Sequence, residues 1–285
     1  QATVFLCIIK PDVVIGFGSY ASLPTLAAAS FLGYKTIIHE QNAILGRANR
    51  FLAPRATRIA TAFEFVANLR AKDRQKVVWT GNPLRPDIVA ITDTPYPKIN
   101  ENTSIKILIF GGSQGAAIFS NVVPKALLML PEKFISRLHI VQQCREEDIT
   151  KVQKIYQNAH IKAVVAPFLH NIATHYVSSH LIICRAGAST LAEGSAVGRP
   201  AILVPFPHAT DDHQTRNAQG LCDAGGGWMI DQDAFTKETL ASRLESLLSI
   251  DHTLEIAAGC ATKISVSRAA ERLSNVVFEV LEKDQ

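Results

Sequence analysis

The sequence predicts an α/β protein made of two doubly wound, Rossmann-like domains with parallel sheets. Short runs rich in β-branched residues alternate with helix-like stretches almost to the end of the chain, which is typical of parallel strands joined by crossover helices. The length of 285 residues suits one large domain or two small ones. A proline-rich, polar stretch at residues 81–104 has the composition of a linker between two units.

Ten short apolar runs predict the strands. They are residues 12–15, 35–39, 58–60, 77–79, 105–110, 138–142, 161–166, 181–184, 201–204 and 227–230. Helical patterns lie between many of them, at residues 21–32, 116–129, 147–157, 189–197 and 214–224. Residues 236–283 have helical patterns only.

The composition indicates a folded protein with reduced cysteines. Hydrophobic residues make up 47% of the chain and charged residues 19%, so a sizeable core can form. The 5 cysteines form no CxxC pair, which argues against a disulfide framework or a zinc site. The uncharged stretch 13–34 contains glycines and a proline that break it into a strand, a turn and a helix, so we expect no membrane span there.

Positive charge is concentrated in the first part of the chain. Residues 1–103 contain 12 Lys and Arg against 7 Asp and Glu, a net charge of +5, whereas the rest has a net charge of −1. A solvated helix face would explain the excess, and so would attraction to an anionic surface or a pyrophosphate substrate. The overall charge of +4 is too small to argue for nucleic-acid binding.

A glycine-rich loop after the expected strand 105–110 is the first candidate site. Glycines let the backbone approach a phosphate, and the following helix N-terminus supplies free N–H donors. A tight turn without a ligand would need the same glycines. The loop is neither a Walker A motif nor GxGxxG, and the next strand ends at Gln143 without a carboxylate for a ribose hydroxyl, which disfavours an NAD site.

A second strand end, Cys184, leads through Gly187 into a helix with Ser189 and Thr190 in its first turn. This is another helix N-terminus suited to anions. Glu193 lies one turn further in, where its carboxylate can accept two hydrogen bonds from a ribose diol. A capped helix with a solvated Glu193 is the alternative.

A polar run at residues 208–217 contains potential metal ligands whose spacing fits no defensible metal site: His208, Asp211, Asp212 and His213. A loop that caps the following helix is the favoured interpretation. Gln214 and Asn217 share one face of that helix, and neutral amides suit sugar hydroxyls because they both donate and accept.

Three further polar motifs occur in the first part of the chain. Residues 16–20, ending at Tyr20, and residues 39–42, ending at Asn42, each follow a strand. Ligands of doubly wound sheets bind beyond such strand ends, although buried loop polarity is an alternative. Residues 81–85 end at Arg85 in the linker, where an arginine can clamp a base or a phosphate between two domains.

Together and in this order, the six motifs resemble those of the MurG family of peptidoglycan glycosyltransferases, over nearly the whole chain. The resemblance implies the two-domain GT-B fold. Residues 1–85 and a returning helix at 266–285 would form the domain on the acceptor and membrane side. Residues 86–265 would bind the UDP-sugar.

The resemblance also implies roles for individual residues. Ser113 would contact the diphosphate, the backbone of Leu169 the uracil edge, and Arg85 would lie near the base. Glu193 would bind the ribose hydroxyls, Gln214 the sugar, and Asn42 would reach the donor from the other domain. The remaining implied positions run along the nucleotide or support the site: Ala188, Ser189, Thr190, Leu191, Ala192, Gly111, Gly112, Gln114, Gly115, Tyr20 and Asn217.

The activity that the resemblance implies is transfer of N-acetylglucosamine from UDP-N-acetylglucosamine to lipid I, giving lipid II, with inversion and without a metal or cofactor. The implied location is peripheral, on the anionic cytoplasmic face of the bacterial inner membrane. The family's glycine-rich loop with its histidine would precede Gln1, so no catalytic residue is assigned. Alternatives are another UDP-sugar transferase of this fold, and a fragment that binds UDP-sugar without turnover.

Overall fold

The computed structural model describes residues 1–101, 103–112 and 116–282. They form two compact units. Unit 1 contains Gln1–Leu84, Thr210–Asn217 and the end of the chain from Val266, and unit 2 contains Arg85–Ala209 and Ala218–Ser265. The division expected from sequence placed residues 210–217 with the second domain and Arg85 with the first.

Helices and strands alternate along the chain. The strands are β1 Val13–Gly16, β2 Lys35–Glu40, β3 Arg58–Thr61, β4 Val77–Trp79, β5 Ile105–Phe110, β6 Leu138–Gln143, β7 Lys162–Ala166, β8 Leu181–Cys184, β9 Ala201–Leu203 and β10 Gly227–Met229. The helices are α1 Ala2–Ile9, α2 Ser19–Phe31, α3 Arg47–Leu52, α4 Pro86–Val89, α5 Ala117–Leu127, α6 Glu132–Ile135, α7 Glu146–Asn158, α8 Ile172–Ser178, α9 Ala188–Ala196, α10 His213–Asp223, α11 Lys237–Ser249, α12 Thr253–Lys263 and α13 Ala269–Glu282.

Unit 1 has a parallel sheet of order β1-β2-β3-β4. Successive residues of a strand face opposite sides, so neighbouring isoleucines of β2 enter two separate cores. Ile38 packs with Leu26 of α2 on one face, and Ile37 packs with Val276 of α13 on the other. Both faces are therefore covered, as parallel sheets require.

Unit 2 has a parallel sheet of order β10-β9-β8-β5-β6-β7. The chain starts at the central strand β5, proceeds to the edge at β7, and returns to β8 on the other side of β5. The direction of winding therefore reverses between β5 and β8. In open α/β sheets, ligands bind beyond the carboxyl ends of the strands at this switch point. Phe110 of β5 is the register partner of Cys184 of β8, so the two strands end side by side.

Among the described residues, every helix is too short or too polar to cross a lipid bilayer.

Candidate active site

The loop after β5 begins the site of unit 2. Gly112 has a φ of +89° and no neighbour within 4 Å of an added Cβ, so a glycine is favoured there by backbone conformation and not by lack of space. Helix α5 starts at Ala117 without a side-chain cap at Ala116, which leaves N–H groups of its first turn available. Ser113, Gln114 and Gly115 lie outside the described residues.

The loop after β8 forms the second half of the candidate site in unit 2. Helix α9 begins after Gly187, which provides no side-chain cap either. Ser189 is exposed and Thr190 half-buried in its first turn, whereas Leu191 faces the interior. Two helix N-termini therefore lie at the carboxyl ends of the two switch-point strands, and both favour a negatively charged ligand.

Glu193 has one partner on each carboxylate oxygen. Its Oε1 lies 3.2 Å from Arg85 Nε, and its Oε2 accepts a hydrogen bond of 3.2 Å from the Tyr176 hydroxyl. The side chain is only 15% exposed. Burial raises the pKa of Glu193, while the charge of Arg85 and the two hydrogen bonds oppose that rise.

Arg185 connects the loops that follow three neighbouring strands. It follows β8, donates to the carbonyl oxygens of Val204 at 3.1 Å and Pro205 at 3.0 Å after β9, and donates to Gln232 Oε1 at 2.6 Å after β10. Its guanidinium also lies over the ring of Phe206. This arginine holds the carboxyl-terminal edge of the sheet together next to the α9 N-terminus.

Leu169 lies in the loop between β7 and α8. Gln143, the last residue of β6, donates from Nε2 to the Pro167 carbonyl oxygen at 3.2 Å and so anchors the loop. The Leu169 side chain is buried, whereas the neighbouring Phe168 is exposed and packs edge-on against His170. The loop thus lies at the same edge of the sheet as the β5 and β8 loops.

In unit 1, Glu40 organises the loop that contains Asn42. It ends β2, is buried, and its Oε1 accepts from the Asn42 backbone N–H at 3.0 Å and side chain at 3.2 Å. Its Oε2 accepts from the Gly46 N–H at 2.9 Å and from Asn49 Nδ2 at 2.8 Å. Four hydrogen bonds to one carboxylate fix the loop between β2 and α3.

Asn217 contacts the same loop. Its Oδ1 accepts from the Ala43 N–H at 2.8 Å, and its Nδ2 donates to Asn42 Oδ1 at 3.0 Å. Gln214 is half-buried one turn earlier on α10.

The acidic residues before α10 have other partners. Asp211 pairs with Arg50 at 2.6 Å. The described residues contain no group of three or more His, Cys, Asp and Glu side chains arranged to hold a metal ion.

A third helix N-terminus follows β1. Gly18, with a φ of 72°, precedes α2 and gives it no side-chain cap. Tyr20 is exposed in the first turn. Nearby, His39 Nε2 lies 3.0 Å from the Gly81 carbonyl oxygen, and burial lowers the pKa of His39, which favours the neutral ring.

Sequence reasoning assigned no role to Tyr176, Arg185 or Glu40. The sequence does contain a signal that could have singled out Arg185 and Glu40, because each is a charged residue at the end of a buried strand. Tyr176 carries none, since its contact with Glu193 depends on how α8 packs beside α9.

Two α/β domains with parallel sheets, one of which has anion-favouring helix N-termini at its switch point and a carboxylate one turn behind, have the architecture of the GT-B glycosyltransferases. Residues 106–273 match the glycosyltransferase family 28 C-terminal domain, and residues 1–61 match the N-terminal domain of the same family. The chain belongs to glycosyltransferase family 28, in its MurG branch.

The relatives are consistent with this assignment. A protein of Paramagnetospirillum magneticum named UDP-N-acetylglucosamine--N-acetylmuramyl-(pentapeptide) pyrophosphoryl-undecaprenol N-acetylglucosamine transferase is 47% identical, over 99% of this chain and 76% of its own length. A Rhodospirillum centenum protein of the same name is 46% identical, over 98% of this chain and 73% of its own. The crystal structure of Acinetobacter baumannii MurG matches with a TM-score of 0.81 and 31% identity, over 98% of this chain and 77% of that one.

Proposed function

We propose that this chain transfers N-acetylglucosamine from UDP-N-acetylglucosamine to lipid I, the undecaprenyl-pyrophosphoryl-N-acetylmuramyl-pentapeptide, and so forms lipid II for peptidoglycan synthesis. The observation that carries this proposal is the pairing of two uncapped helix N-termini, of α5 and α9, at the switch point between β5 and β8. The names of the 46–47% identical relatives support the same donor and acceptor.

The donor nucleotide is assigned to unit 2. Its diphosphate would lie at the α5 N-terminus, against Gly111, Gly112 and the loop that continues through Ser113, Gln114 and Gly115. The first turns of α9, residues 188–193, would run along the nucleotide, with Glu193 accepting hydrogen bonds from the ribose hydroxyls. The Leu169 backbone would meet the uracil edge, and Arg85 the base.

The chemistry is a single displacement with inversion. The acceptor hydroxyl oxygen forms a bond to the anomeric carbon of N-acetylglucosamine while the bond from that carbon to the β-phosphate oxygen breaks. The electron pair leaves with UDP, and the hydroxyl proton passes to a general base that we do not assign to a residue of this chain. The α5 N-terminus would stabilise the negative charge that grows on the β-phosphate.

The acceptor is assigned to unit 1. The uncapped N-terminus of α2 suits the pyrophosphate of lipid I. Phe31, exposed at the end of α2, would enter the lipid surface. The net charge of +5 on residues 1–103 would attract the anionic cytoplasmic leaflet.

Calorimetric titration tests the donor site. We expect selective binding of UDP-N-acetylglucosamine over UDP-glucose and NAD. The substitution Glu193→Gln should weaken binding at least about 10-fold, because it removes the charge that strengthens the ribose hydrogen bonds. Glu245→Gln, on exposed α11 in the same unit, is the matched control and should bind normally. Unchanged affinity in Glu193→Gln would contradict the site, and a transfer assay with lipid I then tests the acceptor.

Vesicle sedimentation tests the membrane surface. The chain should sediment with phosphatidylglycerol vesicles and less with phosphatidylcholine vesicles. Phe31→Ser should reduce sedimentation, whereas Phe278→Ser should not, although Phe278 on α13 is also an exposed aromatic side chain. Equal losses in the two variants would argue against the assigned surface.

A further inference from the structure

Tyr176 contacts both halves of the candidate donor site. It lies on α8 and is fully buried. Its hydroxyl donates to Glu193 Oε2 at 3.2 Å. Its ring packs edge-on against Phe110, with the ring centroids 6.1 Å apart. Phe110 is the last residue of β5, directly before the glycine-rich loop, so one side chain connects the diphosphate end of the site with the ribose end.

The backbone around Tyr176 is held by Arg199, which is fully buried. Arg199 Nε donates to the Tyr176 carbonyl oxygen at 2.8 Å and Nη2 to that of Val177 at 2.9 Å. Its Nη1 donates to the Val197 carbonyl oxygen at 2.6 Å. These carbonyls end α8 and α9, where a cation also interacts favourably with the helix dipoles. Arg199 therefore fixes the helix of Tyr176 relative to the helix of Glu193.

The direction of the hydrogen bond between Tyr176 and Glu193 is defined. Burial raises the pKa of Tyr176 well above its usual value, so the phenol keeps its proton and donates it. Glu193 then accepts through Oε2, and the rotation of its carboxylate is restrained. Its Oε1 lies instead beside Arg85, whose side chain is 53% exposed. The oxygen on the solvent side is thus the one that a bound ligand can reach.

We propose that Tyr176 is a positioning residue that orients the carboxylate of Glu193, so that Oε1 meets the ribose hydroxyls of the donor nucleotide. This inference rests on the proposed function, because it takes the ligand of Glu193 to be a ribose. Tyr176 acts through Glu193 and does not touch the nucleotide.

Tyr176→Phe removes only the hydroxyl, and two ligands test its role. The affinity for UDP should fall about 5- to 10-fold, because a Glu193 carboxylate that is no longer held in one orientation forms weaker hydrogen bonds with the ribose. The affinity for 2′-deoxy-UDP, which lacks one of the hydroxyls that Glu193 would bind, should fall less than about 2-fold by the same argument. In turnover, KM for UDP-N-acetylglucosamine should rise while kcat stays near the wild-type value.

A pH titration adds a readout that a purely structural role would not move. The Tyr176 hydrogen bond lowers the pKa of Glu193, so the acidic limb of UDP binding should shift to higher pH in Tyr176→Phe. Tyr156→Phe is the matched control: Tyr156 is also buried in unit 2, and its hydroxyl donates to Gln142 Oε1 at 2.5 Å. That variant should lose stability and keep its affinity for UDP.

Two results would overturn the inference. In the first, Tyr176→Phe keeps wild-type affinity for UDP while Glu193→Gln binds UDP more weakly. This result would remove the role of Tyr176 and leave the assignment of Glu193 to the ribose intact. The other is an equal loss of UDP and 2′-deoxy-UDP binding. Unchanged binding in Glu193→Gln would instead contradict the donor-site assignment within the proposed function, on which this inference rests. If Tyr176→Phe does not fold, Arg199→Lys, which loosens the Tyr176 backbone, should show the same preference between the two ligands.

Discussion

The Nε atom of Arg85 lies 3.2 Å from Oε1 of Glu193, across 108 positions of sequence. The pair joins the residue before α4 to the middle of α9, both within unit 2. Arg85 lowers the pKa of Glu193 against the effect of burial. The arginine therefore helps to keep the carboxylate charged, which is the form that accepts two hydrogen bonds from a diol.

Substituting Arg85 should make donor binding more sensitive to acid. In Arg85→Met the pKa of Glu193 rises, so as pH falls the carboxylate is protonated earlier and the acidic limb of UDP binding moves to higher pH. Because Arg85 is half exposed, we expect a loss of only about 2- to 5-fold in affinity near pH 5.5. Calorimetry across pH 5–8 measures this. Arg145→Met, which removes a surface pair with Glu147 in the same unit, should leave the pH profile unchanged.

The contributions of Asn42 and Asn217 to stability should be energetically coupled, because the two side chains form a hydrogen bond. Asn217→Ala leaves the Ala43 N–H without its side-chain acceptor, so the free energy of unfolding of unit 1 should fall by about 1–2 kcal/mol. A double-mutant cycle with Asn42→Ala should give a coupling energy of about 1 kcal/mol. Of the 2 tryptophans, Trp79 belongs to unit 1 and Trp228 to unit 2. Urea unfolding in a Trp228→Phe background therefore reports on unit 1.

A matched control separates this coupling from a general cost of removing amides. Asn121 accepts a hydrogen bond from Lys151 on the exposed surface of unit 2. Asn121→Ala should change stability by less than about 0.5 kcal/mol, as read from Trp228 in a Trp79→Phe background. Additive effects of Asn42→Ala and Asn217→Ala would contradict the coupling.

The elements and loops that sequence predicts well are those whose signals are local. Each of the ten strands coincides with an expected apolar run to within one residue at either end, because buried parallel strands need continuous β-branched stretches. The loops after β5 and β8 are visible because glycine, a strand end and a helix start are adjacent in the chain. The hydrogen bond from the Ala43 N–H to Asn217 spans 174 positions, and that from Arg199 to the Tyr176 carbonyl joins the loop after α9 to α8. No periodicity encodes such contacts, since they depend on tertiary packing.

Gly81 should tolerate alanine much less well than Gly33, although both are in unit 1 and have φ angles of +80° and +81°. A Cβ on Gly81 would lie 2.5 Å from Val266 Cβ, whereas one on Gly33 would meet nothing within 4 Å. Gly33→Ala should therefore cost only backbone strain, about 1 kcal/mol, while Gly81→Ala should cost about 2–4 kcal/mol because packed atoms must also move. Urea unfolding followed by Trp79 fluorescence compares the two. Equal costs would mean that Val266 moves away freely.

Unit 2 should lose stability in acid because of His180. Burial, reinforced by the charge of Lys106, lowers the pKa of His180 to about 4. Below pH 6.5 the unfolded chain binds a proton that the folded chain does not, so stability falls as pH drops from 6.5 to about 4 and levels off below. The contribution reaches about 3 kcal/mol at the acid end. His180→Asn, which keeps an acceptor for the Lys106 N–H, should flatten this dependence, whereas the exposed His160→Asn should not. Urea unfolding between pH 4 and 7, followed by Trp228 fluorescence in a Trp79→Phe background, measures how the free energy of unfolding depends on pH. The same dependence in His180→Asn as in the parent would show that other groups cause it.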